Sequence, residues 1–236
     1  MQTQIIAHRG ASFLAQNENT LEAFSLAIDI GADYAEFDIR QTRDHNLIVF
    51  HNDSLDNRKI SDMTYEQLCK ITQAKGYKVP LLIDVLSLCK GKIKLDIELK
   101  ESGYEDSVIS LVKQFYDYDD YMMKSFIDNT VAKIKNIDSN IRAGLLLGLS
   151  HSSFRRRIHE YFPERRLHAC HADFVSPHYQ LATPMFVHRM HLRRYKVYVW
   201  TLNDAGLIGK YINRNVDGII TDKPDAGISL RKGYNI

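Results

Sequence analysis

The chain has 236 residues, of which 44% are hydrophobic and 25% are charged, and its formal net charge is +2. This length suits one core of the size that a (β/α)8 barrel needs, and the charge is too small to indicate nucleic acid as a partner. No run of about 18 apolar residues occurs, so the sequence predicts no membrane-spanning helix.

The start of the chain and its cysteines indicate a cytoplasmic protein. Polar residues lead straight into an apolar run, which leaves no room for a signal peptide. Cys69, Cys89 and Cys170 are odd in number, far apart and in no Cys-x-x-Cys arrangement, so we expect reduced thiols. A homo-oligomer is compatible with the sequence.

Strand-like apolar runs alternate with helix-like segments almost to the end of the chain. The candidate strands are Ile5–His8, Tyr34–Ile39, Ile93–Leu99, Met122–Phe126, Ala143–Leu147, Phe174–Ser176, Val197–Thr201 and Gly218–Thr221. This alternation predicts parallel pairing in an α/β fold, a closed (β/α)8 TIM barrel that forms a single domain over residues 1–236.

The first helix has clear end signals. Asn19 and Glu22 have the spacing of a capping box, so Asn19 is the expected N-cap. Apolar residues then recur at helical spacing until Gly31, which is expected to end the helix.

One strand-like run, Leu47–His51, interrupts the alternation. The link that separates it from strand two is too short for a crossover helix, which predicts an antiparallel hairpin. A turn centred near His45 would bring His51 opposite Ile39 and beside Asp38.

Residues 52–92 are predicted to form a small insertion at the barrel rim. Thr64 and Gln67 have capping-box spacing for a short helix, and a second helix is expected near Ile83–Leu88, after Pro80.

Three carboxylates are expected at one rim of the barrel. Glu36 and Asp38 are two residues apart and share a strand face, and Glu98 lies near the end of the third strand. Adjacent carboxylates repel unless a cation lies between them, and ligation by oxygen alone suits Mg²⁺ or Ca²⁺ better than zinc. The alternative is that the acids pair with Arg9 and Lys100.

His8 and His51 are expected at the same rim as the carboxylates. Imidazole titrates near neutrality, so the two rings could act as acid and base. Arg9 and Lys100 could neutralise phosphate oxygens, and balancing the acids is a compatible second role. Together these groups suit the cleavage of a phosphodiester with a divalent metal.

Two aromatic residues, Trp200 and Phe126, lie at or near the ends of predicted strands. Trp200, the only tryptophan, shares a strand face with Tyr198. Either ring could form an apolar side of a substrate pocket, and plain core packing is the alternative.

The segment His151–His191 is rich in histidine. The spacing of His168, Cys170 and His171 matches no structural zinc pattern, so we expect no second metal site. Arg155–Arg157 are expected on a solvated helix face.

The chain resembles the glycerophosphodiester phosphodiesterase family over nearly its whole length. The matching stretches are His8-Arg9-Gly10, Glu18-Asn19-Thr20, Gly31-Ala32-Asp33, Glu36-Phe37-Asp38, Thr42-Arg43-Asp44, His51, Ile97-Glu98-Leu99-Lys100, Ser125-Phe126, Val199-Trp200-Thr201-Leu202-Asn203 and Val216–Asp222. The resemblance implies a (β/α)8 barrel, a divalent cation, and hydrolysis of glycerophosphodiesters to sn-glycerol 3-phosphate and an alcohol.

The resemblance also implies a role for each candidate residue. By position these are Glu36, Asp38 and Glu98 as metal ligands, His8 and His51 as acid and base, Arg9 and Lys100 on phosphate, and Phe126 and Trp200 along the pocket. The chain departs from the family pattern where Asp96 replaces a common asparagine and where Leu55–Met63 lacks glycine. These departures leave the catalytic set intact and bear on substrate range.

Two other functions suit the same residues. One is lysophospholipase D-like cleavage of lysophospholipids, which needs an apolar rim. The other is a non-catalytic phosphate-binding module, which has no use for paired histidines. The nucleophile is open between water and the glycerol 2-hydroxyl.

Overall fold

The computed structural model describes residues 2–148 and 159–233. Within these ranges the strands are Gln4–Ala7 (β1), Tyr34–Gln41 (β2), Leu47–Val49 (β3), Ser54–Leu55 (β4), Arg58–Lys59 (β5), Lys94–Leu99 (β6), Tyr121–Ser125 (β7), Ala143–Leu147 (β8), Phe174–Pro177 (β9), Lys196–Val199 (β10) and Gly218–Thr221 (β11). The α-helices with both ends described are Leu21–Ile30, Tyr65–Ala74, Leu82–Cys89, Glu105–Val112, Asp128–Ile137, Glu164–Ala169, Pro184–Leu192, Ala205–Asn213 and Pro224–Gly233. Short 3-10 helices cover Ile60–Asp62 and Tyr118–Asp120.

Eight strands pair in parallel and close into a barrel. Their order is β1, β11, β10, β9, β8, β7, β6 and β2, and β2 pairs again with β1. Each predicted strand overlaps one of these eight, so the predicted (β/α)8 barrel is confirmed. The carboxyl ends of all eight strands lie at one end of the barrel. In (β/α)8 barrels the functional residues lie at this end, in the loops that follow the strands.

Apolar side chains fill both sides of the barrel wall. The outward side chains, such as Phe37 and Ile97, pack in one large core under the helices. The interior is closed toward the amino ends by an apolar plug of Ile6, Tyr34, Met122, Phe174, Tyr198 and Ile220. Gly144 leaves space for this plug, because a Cβ there would lie 2.1 Å from the Phe174 ring. The polar side chains nearer the carboxyl ends therefore lie above a layer of apolar side chains.

The first helix begins one residue later than predicted. Thr20, with extended backbone, is the N-cap, and its hydroxyl accepts from the Ala23 N–H. Asn19 has a positive φ of 55°, and its side chain donates to Asp38 Oδ2 at 2.9 Å instead of capping. The predicted stop is confirmed, because Gly31 ends the helix in the left-handed conformation.

The predicted antiparallel hairpin forms, but its register is two residues away from the prediction. Ile39 pairs with Val49, so His51 is not opposite Ile39. The pairing is centred on Asp44, whose carboxylate accepts from the Thr42 hydroxyl at 2.7 Å. The centre of the turn therefore lies one residue before the predicted His45, at a residue whose side chain makes a local turn contact.

Residues 52–92 form the small hairpin of β4 and β5 and two helices beside the barrel rim. The Thr64 and Gln67 capping box is confirmed, with both reciprocal hydrogen bonds present. The predicted helix after Pro80 is the helix Leu82–Cys89. A satellite apolar cluster joins this region to the barrel hairpin through Ile48.

The remaining sequence expectations concern thiols, membranes and arginines. All the cysteines are free, as predicted. Among the described residues, no helix has the length and apolarity needed to cross a bilayer. The stretch Arg155–Arg157 lies outside the described residues.

Candidate active site

The three predicted metal ligands lie together at the carboxyl ends of two neighbouring strands. Glu36 and Asp38 on β2 and Glu98 on β6 face the barrel interior, and Asp38 is the register partner of Glu98. All three side chains are buried. One carboxylate oxygen of each lies within 4.8 Å of the others, a spacing that a cation with oxygen ligands at about 2.0–2.6 Å can span.

The same carboxylates also make ion pairs, as the alternative interpretation expected. The Lys100 ammonium lies 2.7 Å from Glu98 Oε1 and 3.2 Å from Asp38 Oδ1. Arg9 Nε lies 3.4 Å from Asp38 Oδ2. The cations that could bind phosphate and the acids that could bind metal are therefore direct neighbours, and the two interpretations describe one cluster.

The ionisation of these carboxylates is uneven. Burial and the charge of Asp38 raise the pKa of Glu98 to about 7. Burial also opposes ionisation of Asp38, but Lys100 and Arg9 outweigh it and lower the pKa of that carboxyl. Repulsion between the carboxylates thus opposes full ionisation of the cluster at neutral pH. A divalent cation among the oxygens would relieve this repulsion.

A tight turn after β1 brings Arg9 to the cluster. Arg9 has a φ of 55°, and its backbone N–H donates to Glu36 Oε2 at 3.0 Å. Gly10 follows with a φ of 79°, and a Cβ there would lie 2.6 Å from the backbone of Ala23. Only glycine fits this close approach, which explains the Arg-Gly pair at this position.

His8 is held by a carboxylate that the sequence interpretation missed. His8 Nδ1 lies 2.5 Å from Asp222 Oδ1, and Asp222 also accepts from Ser12 and Asn203. Burial lowers the pKa of His8, but the hydrogen bond to Asp222 and the charge of Glu36 outweigh it, so the pKa is raised. The contact could have been predicted, because barrel closure brings the residue after β11 beside the residue after β1.

His51 reaches the same cavity from the hairpin. Its Nδ1 lies 2.9 Å from the amide oxygen of Asn52, and its carbonyl oxygen accepts two hydrogen bonds from the Arg40 guanidinium. Burial lowers the pKa of His51, although the charge of Asp38 opposes this. In both histidines the partner is on Nδ1, which leaves Nε2 as the nitrogen available to a ligand.

A second buried ion pair below the cluster was also missed. Lys124 on β7 and Asp96 on β6 face the interior, with Nζ of Lys124 2.6 Å from Asp96 Oδ2. Burial raises the pKa of Asp96. Burial lowers the pKa of Lys124, but the charges of Asp96 and Glu36 outweigh it, so the pKa of Lys124 is raised. The available signal was strand parity combined with register, since Asp96 shares a strand face with Glu98 and Lys124 is the register partner of Glu98.

These groups surround a cavity of about 210 Å³ with two unlike walls. The polar wall consists of His8, Arg9, Glu36, His51, Glu98, Lys100 and Lys124. The apolar wall consists of Phe126, Leu146, Trp200 and Ile220. Phe126 and Trp200 are both next to this cavity, and their contact with a substrate stays a prediction.

The apolar wall is fixed by packing. The Phe126 and Trp200 rings meet edge to face with centroids 5.6 Å apart. The Trp200 indole N–H donates to the Ser176 carbonyl at 2.9 Å. Phe126 is 41% exposed, so it lies at the mouth of the cavity, whereas Leu146 is buried.

Comparison with known proteins gives matches along nearly the whole chain. The sequence model of the Glycerophosphoryl diester phosphodiesterase family matches residues 8–226. A glycerophosphodiester phosphodiesterase of Caldanaerobacter subterraneus is 29% identical over 99% of this chain and 100% of its own length.

Solved structures share the fold. A glycerophosphodiester phosphodiesterase from Parabacteroides distasonis superposes with a TM-score of 0.84 at 23% identity, over 100% of this chain and 99% of that one. An Oleispira antarctica phosphodiesterase in complex with the product sn-glycerol-3-phosphate gives a TM-score of 0.82 at 24% identity, over 98% and 97% of the two chains. At these identities the likeness is one of fold.

Proposed function

The chain belongs to the glycerophosphoryl diester phosphodiesterase family, and we propose that it hydrolyses glycerophosphodiesters to sn-glycerol 3-phosphate and an alcohol. One observation carries this proposal: Glu36 and Glu98 of the buried carboxylate cluster line a single cavity with both histidines and the cationic Arg9 and Lys100, and the third carboxylate, Asp38, contacts Lys100 directly. A phosphodiester needs charge stabilisation on its oxygens and a proton donor and acceptor, and this set supplies both.

We assign Glu36, Asp38 and Glu98 as the ligands of one divalent cation, Mg²⁺ or Ca²⁺. Their oxygen-only donor set and mutual repulsion suit such an ion. When bound, the ion supplies Lewis-acid stabilisation of phosphoryl charge. Arg9 and Lys100 bind the phosphoryl oxygens from the same side, Arg9 through its planar fork and Lys100 as a point charge.

The two histidines take different roles in this proposal. The Asp222 carboxylate beside His8 favours the charged ring, so His8 is the acid that protonates the leaving alkoxide. Asn52 offers only a neutral amide to His51, and burial favours the uncharged ring, so His51 is the base. His51 removes a proton from the nucleophile, which is water or the glycerol 2-hydroxyl. If the 2-hydroxyl attacks, the alcohol leaves and a cyclic phosphate forms first, and water then opens that ring to give sn-glycerol 3-phosphate.

The apolar wall receives the uncharged part of the substrate. Phe126 and Trp200 line the same cavity as the polar wall and offer it apolar ring surface, which suits the carbon atoms of glycerol and of the alcohol. In this proposal residues 1–236 act as one barrel domain with 52–92 as a small insertion at its rim. A cytoplasmic location stays a prediction from the sequence.

The direct test is an assay of purified protein with glycerophosphocholine. We expect release of sn-glycerol 3-phosphate when Mg²⁺ or Ca²⁺ is supplied, and loss of that release after chelation with recovery on adding the cation back. A protein that binds the substrate without releasing glycerol 3-phosphate would be a binding module. Equal turnover before and after chelation would contradict the cation site.

Lysophospholipase D-like cleavage is the second candidate. Phe126 at the cavity mouth and Phe13, which is 64% exposed after the β1 turn, favour it, because an acyl chain needs apolar surface near the entrance. Parallel assays of glycerophosphocholine and lysophosphatidylcholine separate the two functions through the ratio of their kcat/KM values.

A further inference from the structure

Lys124 and Asp96 form a buried ion pair beneath the carboxylate cluster. Nζ of Lys124 lies 2.6 Å from Asp96 Oδ2 and 3.3 Å from Glu36 Oε1. Lys124 is 1% exposed and Asp96 is fully buried. The proposed mechanism gives neither residue a role, although Lys124 lines the cavity.

Stabilisation of the fold does not by itself explain why a buried ion pair occupies this place. Two charges lose their hydration when they enter a barrel interior, and apolar residues of similar size often serve stability equally well. Moreover, the Oδ1 atom of Asp96 has no hydrogen-bond partner among the described residues.

The geometry links the pair to the cation ligands. Lys124 is shared between Asp96 and Glu36, with the shorter contact to Asp96. The other oxygen of Glu36 already accepts the backbone N–H of Arg9. The part of the ammonium charge that Asp96 does not neutralise therefore acts on the one Glu36 oxygen that remains for a cation.

We propose that Asp96 and Lys124 are a positioning pair that sets the affinity of the carboxylate cluster for its divalent cation. Asp96 holds the ammonium of Lys124 back from Glu36 and so keeps Glu36 available as a ligand. This inference rests on the proposed function, because it needs a cation held by Glu36, Asp38 and Glu98.

The test is a double-mutant cycle read by calorimetric titration of Ca²⁺ and of Mg²⁺ into the cation-free protein. In Asp96→Asn the ammonium of Lys124 turns fully to Glu36, and we expect cation affinity to fall about tenfold. Adding Lys124→Gln to that variant removes the competing charge, and affinity should return to within about threefold of the wild-type value. Lys124→Gln alone should bind the cation no more weakly than the wild type.

A matched control is the ion pair of Glu105 and Lys133 on two outer helices, 2.8 Å apart with a buried carboxylate. Glu105→Gln with Lys133→Gln should lower the melting temperature and leave cation affinity unchanged. If Asp96 and Lys124 only stabilise the fold, both single variants and the double variant should behave like this control. Each should have a lower melting temperature and an unchanged cation affinity.

Several outcomes overturn the inference. Wild-type affinity in Asp96→Asn, or a double variant that binds more weakly than Asp96→Asn, would do so. If Asp96→Asn does not fold, Lys124→Gln and the double variant carry the test, and a tenfold loss in either contradicts the pair's role. A wild-type protein that binds neither cation would instead contradict the proposed function.

Discussion

The polar wall and the apolar wall of the cavity are stabilised in different ways. Side chains of the apolar wall need only their neighbours' surfaces, as the edge-to-face contact of Phe126 and Trp200 illustrates. Side chains of the polar wall depend on one another, because each buried carboxylate there has a cation or an N–H group beside it. A substitution in the apolar wall should therefore affect only the side chains that it contacts. A substitution in the polar wall should change the charge balance and positions of several other side chains.

The largest effect is expected from a substitution in the polar wall at a proposed cation ligand. Glu36→Gln removes one carboxylate from the cation and leaves Lys124 with one acid partner fewer, so kcat/KM should fall by about 10³-fold or more. Leu146→Val on the apolar wall is the control and should change kcat/KM by less than about threefold. A Glu36→Gln variant that keeps kcat/KM within tenfold of the wild type would contradict its assignment as a ligand.

The histidines provide the second test of the polar wall. Removing either His8 or His51 by substitution with Gln should cost about 10²- to 10⁴-fold in kcat. A glycerol phosphodiester with a nitrophenol leaving group needs no acid, so it should restore turnover to His8→Gln and not to His51→Gln. The reverse pattern would exchange the two roles.

A smaller effect is expected at the carboxylate behind His8. In the wild type Asp222 raises the pKa of His8, so the acid stays protonated above its ordinary pKa of 6.5 and activity extends to higher pH. In Asp222→Asn burial dominates, the pKa falls, and the alkaline limb of the kcat profile should move toward lower pH, with roughly tenfold loss above neutrality.

The control for Asp222 is another Asp–His pair of the same barrel. Asp217 lies 2.8 Å from His191 just before β11, at the end of the barrel away from the cavity. Asp217→Asn should affect stability and leave the pH profile in place. An unchanged profile in Asp222→Asn as well would mean that His8 does not titrate in turnover.

The smallest effect is expected in the apolar wall. Phe126→Ala removes exposed ring surface at the mouth, and KM for glycerophosphocholine should rise about threefold to tenfold with kcat nearly unchanged. The same variant should also be measured by steady-state kinetics with lysophosphatidylcholine. A larger rise in KM for this acylated substrate than for glycerophosphocholine would favour the lysophospholipid function. A fall in kcat alone would show that this ring does more than bind.

Much of the fold could be predicted, because barrel strands carry their signal in short apolar runs. The parity of Glu36, Asp38 and Glu98 also depends only on local alternation, and these side chains do lie together. The hairpin register could not be obtained this way, since Asp44 decides it through a side-chain contact in the turn. Asn19 was assigned as a cap because its alternative partner, Asp38, is distant in sequence.

The site's missed residues share one property: each acts across strands. Lys124 looks like an ordinary charged residue until β7 is set beside β6, where it meets Asp96. Asp222 gains its role only when the last strand returns to the first. Contacts of this kind become visible only when the pairing of strands is combined with their parity, so a pattern within one strand does not show them.

The single tryptophan of the chain has a practical consequence. Because Trp200 stands in the cavity wall against Phe126, with its indole N–H fixed on Ser176, all tryptophan fluorescence of this protein comes from the place where a ligand would bind. The native chain thus contains its own optical reporter. Titration with a phosphodiester, with product or with a cation can be followed by emission intensity, with no dye and no added label.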